Sequence, residues 1–293
     1  MLRLSSITDE ISQDLERVVA VSKEFGMHGL EIRSVWDTPV AELSDAQAAE
    51  VKRIADEAKM TIPCVASPFF KCDIGDQEAG QKHLQILRRC IELAHLWNTR
   101  LIRVFAFWET GQTEQIWPQL FGRFQEPLKM AQEAGVILCF ENEASTSLST
   151  AKLTVQFISE LRSSAAAALW DPANEVFAPG GEQPFPLAFH RMEPGMAHMH
   201  AKDAKRDEQG KVACTPIGEG EIDWAGQCQA LVESGYDGYL SLETHWRPSK
   251  ALSEELLNRP GGGAFSSLGE EASRICLENL IRLLEHAGWR RED

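Results

Sequence analysis

The feature that most constrains the fold is a rhythm, in which short runs of β-forming apolar residues alternate with longer amphipathic segments. The longer segments carry apolar residues at helical spacing and often end at glycine. The strand-like runs are LRLSSIT, GLEIRSV, TIPCVAS, RLIRVFAF, VILCFEN, AAALWDP, MAHMHAKD and GYLSLETH. Eight strands with intervening helices predict an α/β fold, a (β/α)8 TIM barrel that residues 1–293 form as a single domain.

A doubly wound open sheet is the alternative architecture. It is disfavoured because SITDEISQD, which follows the first strand, lacks the glycine-rich turn that such folds use to bind phosphate. A long excursion at about 246–268, RPSKALSEELLNRPGGGAFSSLG, follows the eighth strand. In a barrel, insertions after a strand lie on the face where active sites form, so we expect this segment near the site.

Composition excludes several classes of protein. The formal net charge of −15 disfavours nucleic acid and anionic membranes as partners. The sequence contains no run of about 18 apolar residues, so it predicts no transmembrane helix. The first residues become polar and acidic too early for a signal peptide, and seven dispersed cysteines without a CxxC pair indicate a reducing compartment. We therefore expect a cytoplasmic protein whose partner is a small molecule.

Four groups able to bind a metal stand at the ends of the last four predicted strands: Glu141, Asp171, His200 and Glu243. Roughly one βα unit separates each from the next, so the four can converge at one end of the barrel. Three buried carboxylates repel one another, and one divalent cation would relieve that repulsion. The mostly oxygen donor set favours Mn²⁺ or Mg²⁺, with Co²⁺ or Zn²⁺ possible.

Each of the four has a simpler interpretation. Glu141 could be a solvated loop carboxylate, and Asp171, which precedes proline, could cap a turn. His200 could be a core histidine bonded to backbone, and Glu243 could pair with Arg247. Singly these signals are weak, and their occurrence at corresponding strand ends is what favours a metal site.

Further pocket candidates come from strand periodicity. His198 lies two residues before His200 and shares its face, and Glu31 and Arg33 share a face of strand two. Lys202 and Arg206 could bind an anionic or hydroxyl-rich end of a substrate, or simply belong to a solvated loop. Candidate aromatic walls, with ordinary core packing as the alternative, are Trp36, Phe69, Phe70 and Trp108. Arg103, in the middle of a strand, requires a carboxylate partner inside the barrel.

These motifs resemble the sugar phosphate isomerase/epimerase superfamily, which has a xylose isomerase-like TIM barrel and includes ketose 3-epimerases. The most specific passage is GEGEIDWAGQCQALVESGYDGYLSLE. The resemblance implies metal ligands at Glu141 in FENE, Asp171 in WDPAN, His200 in HMHAKD and Glu243 in SLETH. It also implies a substrate-binding role for Arg206, six residues after the ligand histidine.

The chain departs from the epimerase pattern at one position. Ketose 3-epimerases have a substrate-binding histidine three residues after the aspartate ligand, where this sequence has Asn174. This departure argues against a free ketohexose as substrate. The multi-zinc apurinic endonucleases share the fold but need several more histidines at strand ends, and the acidic charge disfavours DNA.

The resemblance implies a divalent-metal-dependent isomerase or epimerase that acts on a keto-sugar or related polyol carbonyl compound. Proton transfer would pass through an enediolate, with Glu141 and Glu243 as the catalytic pair. A metal-dependent dehydratase of keto-inositol or dehydroshikimate type is the first alternative, and a non-catalytic carbohydrate-binding barrel is the second. Relatives often pair, so a homodimer is also expected.

Overall fold

The computed structural model describes residues 2–291. All eight predicted strand-like runs form strands, here numbered in chain order. They are β1 (Arg3–Ile7), β2 (Gly29–Glu31), β3 (Cys64–Val65), β4 (Leu101–Val104), β5 (Ile137–Glu141), β6 (Ala166–Trp170), β7 (Met196–Ala201) and β8 (Tyr239–Leu242).

The eight strands form one parallel sheet that curls into a nearly closed barrel. Each strand from β3 to β8 pairs with the next, and β8 pairs with β1, which pairs with β2. Two isolated bridges, Gly29 with Thr61 and Ile32 with Val65, join the last two edges. The predicted (β/α)8 barrel is therefore confirmed, and the open-sheet alternative is excluded.

Helices surround this barrel and connect its strands. They are α1 (Thr8–Ile11), α2 (Leu15–Glu24), α3 (Asp45–Ala58), α4 (Gln77–Leu96), α5 (Thr113–Ala134), α6 (Ala151–Leu161), α7 (Pro172–Phe177), α8 (Phe189–Met192), α9 (Trp224–Glu233), α10 (Glu254–Asn258), α11 (Gly262–Ser266) and α12 (Gly269–His286). Local sequence sets their ends: Ser44 and Gln47 form a capping box on α3, and Asp76 caps α4. Within the described residues, no helix has the length and apolar character needed to cross a membrane.

Segments beyond the carboxyl ends of the strands build a cavity of about 910 Å³. The excursion between β8 and α12 contains α10 and α11 and lines part of this cavity, as its position in the sequence predicts. Its glycine run packs against the turn after β2, where the Gly263 amide donates to Asp37 Oδ1 at 2.6 Å. Gly262 has a positive φ of 72°, which favours glycine at this close approach.

Candidate active site

The four predicted ligands converge directly beneath the cavity, and Glu243 is the member of the four that lines it. Glu141 is the last residue of β5, Asp171 and Glu243 directly follow β6 and β8, and His200 lies near the end of β7. One ligand atom from each lies within 4.8 Å of the others, and all four side chains are buried. Parallel strands place their carboxyl ends side by side, which explains why residues so distant in sequence meet here.

Glu31 lies behind His200 and orients it. Its two carboxylate oxygens lie 2.9 Å from His198 Nε2 and 3.3 Å from His200 Nε2, and all three residues are fully buried. Burial opposes ionisation, but the two imidazoles hold the pKa of Glu31 well below its usual range. An ionised carboxylate only accepts hydrogen bonds, so both histidines donate from Nε2. The Nδ1 atom of His200 therefore faces the other three ligands.

Three basic side chains share the carboxylates of the cluster. Lys202 Nζ lies 2.7 Å from Asp171 Oδ2 and 3.0 Å from Glu243 Oε2. Arg33 donates to Glu243 Oε1 at 2.7 Å, and Arg103 lies 3.5 Å from both glutamates. Arg103 thus has the carboxylate partners that its mid-strand position requires. Repulsion among the acids is already partly relieved by these cations, so repulsion alone does not demand a metal.

The cations act unequally on the carboxylates. Burial would raise the pKa of Glu243, but Lys202, together with His245 and His200, holds it well below the usual range. Burial raises the pKa of Asp171 to about 7, against the effect of Lys202 and with that of Glu243 and Glu141. The site therefore contains one acid that is held ionised and one that is easily protonated.

Asp171 combines two roles that the sequence presents as alternatives. Its Oδ1 atom accepts from the backbone amides of Ala173 and Asn174 and so caps α7. Its Oδ2 atom faces the cluster. Asn174 also lines the cavity, and its Nδ2 donates to Glu141 Oε1 at 3.2 Å. The residue that stands in the place of the epimerase histidine therefore supports a catalytic candidate.

The residues present fit a divalent cation. His200 Nδ1 and Glu141 Oε2 are buried and have no hydrogen bond within residues 2–291. Burial disfavours charge on His200, but Glu31, Glu243 and Glu141 hold its pKa well above the usual range. A nitrogen that faces three carboxylates at 3.4–3.9 Å must carry either a proton or a metal ion. Three oxygen donors and one imidazole suit a hard or borderline cation.

Other predicted substrate contacts lie outside the cavity. The Arg206 guanidinium donates to the backbone carbonyls of Val176 and Gly210, and Arg206 does not line the cavity. Its backbone belongs to the hairpin Asp203–Arg206 with Val212–Thr215, which turns it outward. Glu31 and His198 also do not line the cavity, because they are buried behind His200. None of these three residues lines the cavity, and neither do Glu141, Asp171 and His200, so their substrate contacts stay predictions.

The predicted aromatic wall residues lie in two different environments, the core and the rim of the cavity. Phe69 and Phe70 are buried in the core, where they stack with ring centroids 3.9 Å apart. Trp36 is partly buried against the same core. Trp108 lies at the rim without lining the cavity, in a side pocket that shares Arg259 with it, and Lys71 Nζ and Arg259 lie 5.6 and 5.9 Å from its ring centroid.

Sequence reasoning missed several residues that line the cavity. Phe105 and Phe177 supply aromatic surface, and Lys71, His83 and His245 supply polar groups. His245 follows Glu243 by two residues, so its place after a strand was a usable signal. His83 comes from a helix instead of a strand end, and no strand pattern points to it.

Comparisons with known proteins agree with this architecture. The family model for the xylose isomerase-like TIM barrel matches residues 19–260. The chain belongs to this family. Inosose dehydratase from Lacticaseibacillus casei is 26% identical over 153 residues, which are 47% of this chain and 50% of that protein. The chain thus matches about half the length of this curated relative.

Solved structures of the xylose isomerase-like family have the same fold. D-Psicose 3-epimerase from Clostridium cellulolyticum H10, solved with D-tagatose, has a TM-score of 0.67 at 17% identity, over 95% of this chain and 99% of that one. A xylose isomerase-like TIM barrel protein from Mycobacterium smegmatis, in complex with magnesium, has a TM-score of 0.65 at 20% identity, over 92% and 89%. Epimerases and dehydratases thus both occur among the similar proteins.

Proposed function

We propose that this protein is a divalent-metal-dependent isomerase or epimerase of a keto-sugar or a related carbonyl polyol. The observation that carries the proposal is the convergence of Glu141, Asp171, His200 and Glu243 within 4.8 Å, directly beneath a large cavity that Glu243 lines. The epimerase and the magnesium complex among the similar structures support it. The oxygen-rich donor set favours Mn²⁺ or Mg²⁺ over Co²⁺ or Zn²⁺.

When bound, the cation would supply Lewis-acid polarisation of the substrate carbonyl and make the neighbouring C–H bond acidic. Glu243 accepts this proton in our proposal, because Lys202 and Arg33 keep it ionised. Glu141 returns a proton to the opposite face of the enediolate from Oε2, which has no hydrogen bond and lies 3.5 Å from the Arg103 guanidinium. Asn174 fixes Glu141 through Oε1. Positioned acid and base groups of this kind contribute about 10²–10⁴-fold to a rate.

A dehydratase is the second candidate, favoured by the similarity to inosose dehydratase. Its first step, removal of a proton beside a carbonyl, is the same. It then needs a proton donor for the departing β-hydroxyl group. Lys202 lines the cavity, and Asp171 and Glu243 hold its pKa well above the usual range although burial opposes this. Because its own proton is held so firmly, Lys202 serves this candidate as a hydrogen-bond donor to the departing hydroxyl, and the proton itself comes from Glu243, which has just received it from the substrate carbon.

The test measures exchange of substrate protons with D₂O by NMR, with enzyme loaded with Mg²⁺ or Mn²⁺ and a panel of keto-sugars and inososes. Exchange beside the carbonyl is expected from either enzyme. Product mass then separates them, because dehydration removes the mass of one water and isomerisation does not. Substrate binding without exchange, unchanged in a Glu141→Gln variant, would instead identify a carbohydrate-binding barrel.

A further inference from the structure

The cavity extends from the carboxylate cluster to an outer wall formed by α4. Ala79, His83 and Ile86 lie on one face of this helix, at spacings of four and three residues, and all line the cavity. Pro39 and Leu257 line it as well. Because α4 follows β3, it lies across the barrel from β7, which carries His200. The face of α4 in this wall is apolar except for His83, and charged side chains, among them Glu42, Glu254 and Arg259, also line the cavity.

The tautomer of His83 is fixed by the backbone. The Phe70 amide donates to His83 Nδ1 at 2.8 Å, so in the neutral ring the proton resides on Nε2. Phe70 is held firmly, because its ring stacks on Phe69 and Phe107 at 3.9 and 4.1 Å. Within residues 2–291, Nε2 has no hydrogen-bond partner. His83 therefore offers the cavity one fixed N–H donor.

The ring stays neutral under physiological conditions. Burial, aided by the positive charge of Arg259, lowers the pKa of His83 to about 4. The cavity also contains Asp37, Glu42 and Glu254, but none of these lies within 4 Å of the ring to form an ion pair. A neutral donor of this kind selects an oxygen acceptor and does not require an anion.

The cavity is larger than a free monosaccharide needs, and the α4 face of its wall is less polar than the surface of such a sugar. Ligand cavities usually measure about 300–1,000 Å³, and this one, at about 910 Å³, lies near the upper limit. A free sugar presents hydroxyl groups on all sides, and these would lose water without gaining partners against Ala79, Ile86 and Leu257. An appended group of lower polarity would fit this wall.

We propose that the substrate is a carbonyl polyol with an O-linked substituent, such as a glycoside, and is not a free monosaccharide. Its carbonyl end lies at the carboxylate cluster, and its substituent lies against α4. His83 Nε2–H donates to the linking oxygen or to an oxygen beside it. This inference rests on the proposed function, which places the reacting carbonyl at the cluster.

The test compares 3-keto-D-glucose with its phenyl glycoside, as substrates of the Mg²⁺-loaded enzyme. Deuterium exchange beside the carbonyl is expected to have a kcat/KM at least about tenfold higher for the glycoside. Equal or faster exchange of the free sugar would overturn the inference while leaving the proposed function intact. If neither compound exchanges deuterium, the proposed function for keto-sugars is contradicted. The binding of the two compounds at His83 then decides the inference about the substituent.

Binding is observed at His83 itself, by ¹⁵N NMR of histidine-labelled, Mg²⁺-loaded protein. The His83 signals are assigned by their absence in His83→Phe. We expect the Nε2–H tautomer at pH 7 and a larger shift of Nε2 with the phenyl glycoside than with the free sugar. An Nδ1–H tautomer, or no shift of Nε2 with the glycoside, would contradict the inference whether or not exchange occurs.

The variant His83→Phe removes the donor and keeps an aromatic ring beside Phe69 and Phe70. We expect kcat/KM for the glycoside to fall about tenfold, with little change for the free sugar or in metal affinity. The matched control is His95→Phe, on the same helix but exposed and bonded to the Ala134 carbonyl. An equal loss for both substrates in His83→Phe would mean that His83 acts only on packing.

Discussion

The two ends of the cavity are built in different ways. At the inner end, strand termini deliver acids and a histidine to one point, and Lys202, Arg33 and Arg103 compensate the acids. At the outer end, one helix face presents apolar side chains and a single neutral imidazole. The inner end is suited to chemistry, since its charges are fixed before substrate enters. The outer end is suited to selecting which substrate enters.

The largest effect is expected at the inner end, from Glu141→Gln. The change keeps the shape of the side chain but removes its capacity to carry a proton. Because Glu141 returns the proton in our proposal, formation of the isomerised or epimerised product should fall by about 10²–10⁴-fold, while exchange by Glu243 in D₂O persists. The matched control is Glu143→Gln, two residues later, which pairs with Lys71 at the cavity wall and should retain most activity. If Glu141→Gln forms product at the normal rate, the inner end is not the chemical centre.

A smaller effect, on metal affinity, is expected from Glu31→Gln, because Glu31 lies behind the predicted ligand His200. Glu31 does not line the cavity, but it fixes the ring of His200 and places Nδ1 toward the cluster. Loss of such a supporting carboxylate typically weakens metal affinity about 10–100-fold. Titration with Mg²⁺ or Mn²⁺, followed by calorimetry, measures this directly. Unchanged affinity in a folded variant would show that His200 is not oriented by Glu31.

The difference between the two ends also explains what the sequence could predict. The barrel followed from eight strand-like runs, and residues at corresponding strand ends must lie together in a barrel, so the cluster could be named in advance. The same strand alternation correctly placed His198 and His200 on one face. A local repeat with a fixed period was sufficient in these cases.

Positions that depend on tertiary packing could not be predicted from a periodic sequence pattern. His83 faces the cavity because α4 packs where its ring meets the Phe70 amide, and no periodic pattern encodes that meeting. The position of Arg206 after His200 in the sequence likewise does not show that its strand belongs to a hairpin separate from the barrel sheet. Trp108 lies at the rim for a similar reason, since its place depends on the loop after β4.

Acid titration tests the outer end through its stability. The pKa of His83 is about 4 in the folded protein, against 6.5 ordinarily, so between these pH values the unfolded chain binds more protons. Stability therefore falls as the pH drops from 6.5 to 4, and His83 makes no such contribution above that range. Relative to wild type, His83→Phe should lose about 1–2 kcal/mol less on this acidification, because the ring is partly exposed. Urea unfolding at both pH values measures the difference, and identical acid losses in the two proteins would refute a buried neutral imidazole.

The smallest effect is expected from Arg206→Ala. The resemblance to ketose 3-epimerases implies a substrate contact for Arg206, but its guanidinium donates to the Val176 and Gly210 carbonyls and does not line the cavity. The change should alter KM for any accepted substrate by less than about twofold, and the free energy of unfolding by about 0.5 kcal/mol or less. Lys202→Met, which alters a side chain in the cavity, is the contrasting variant. A rise in KM of tenfold or more in Arg206→Ala would mean that the hairpin turns inward on binding, and would make it a third part of the site beside the inner cluster and the outer wall.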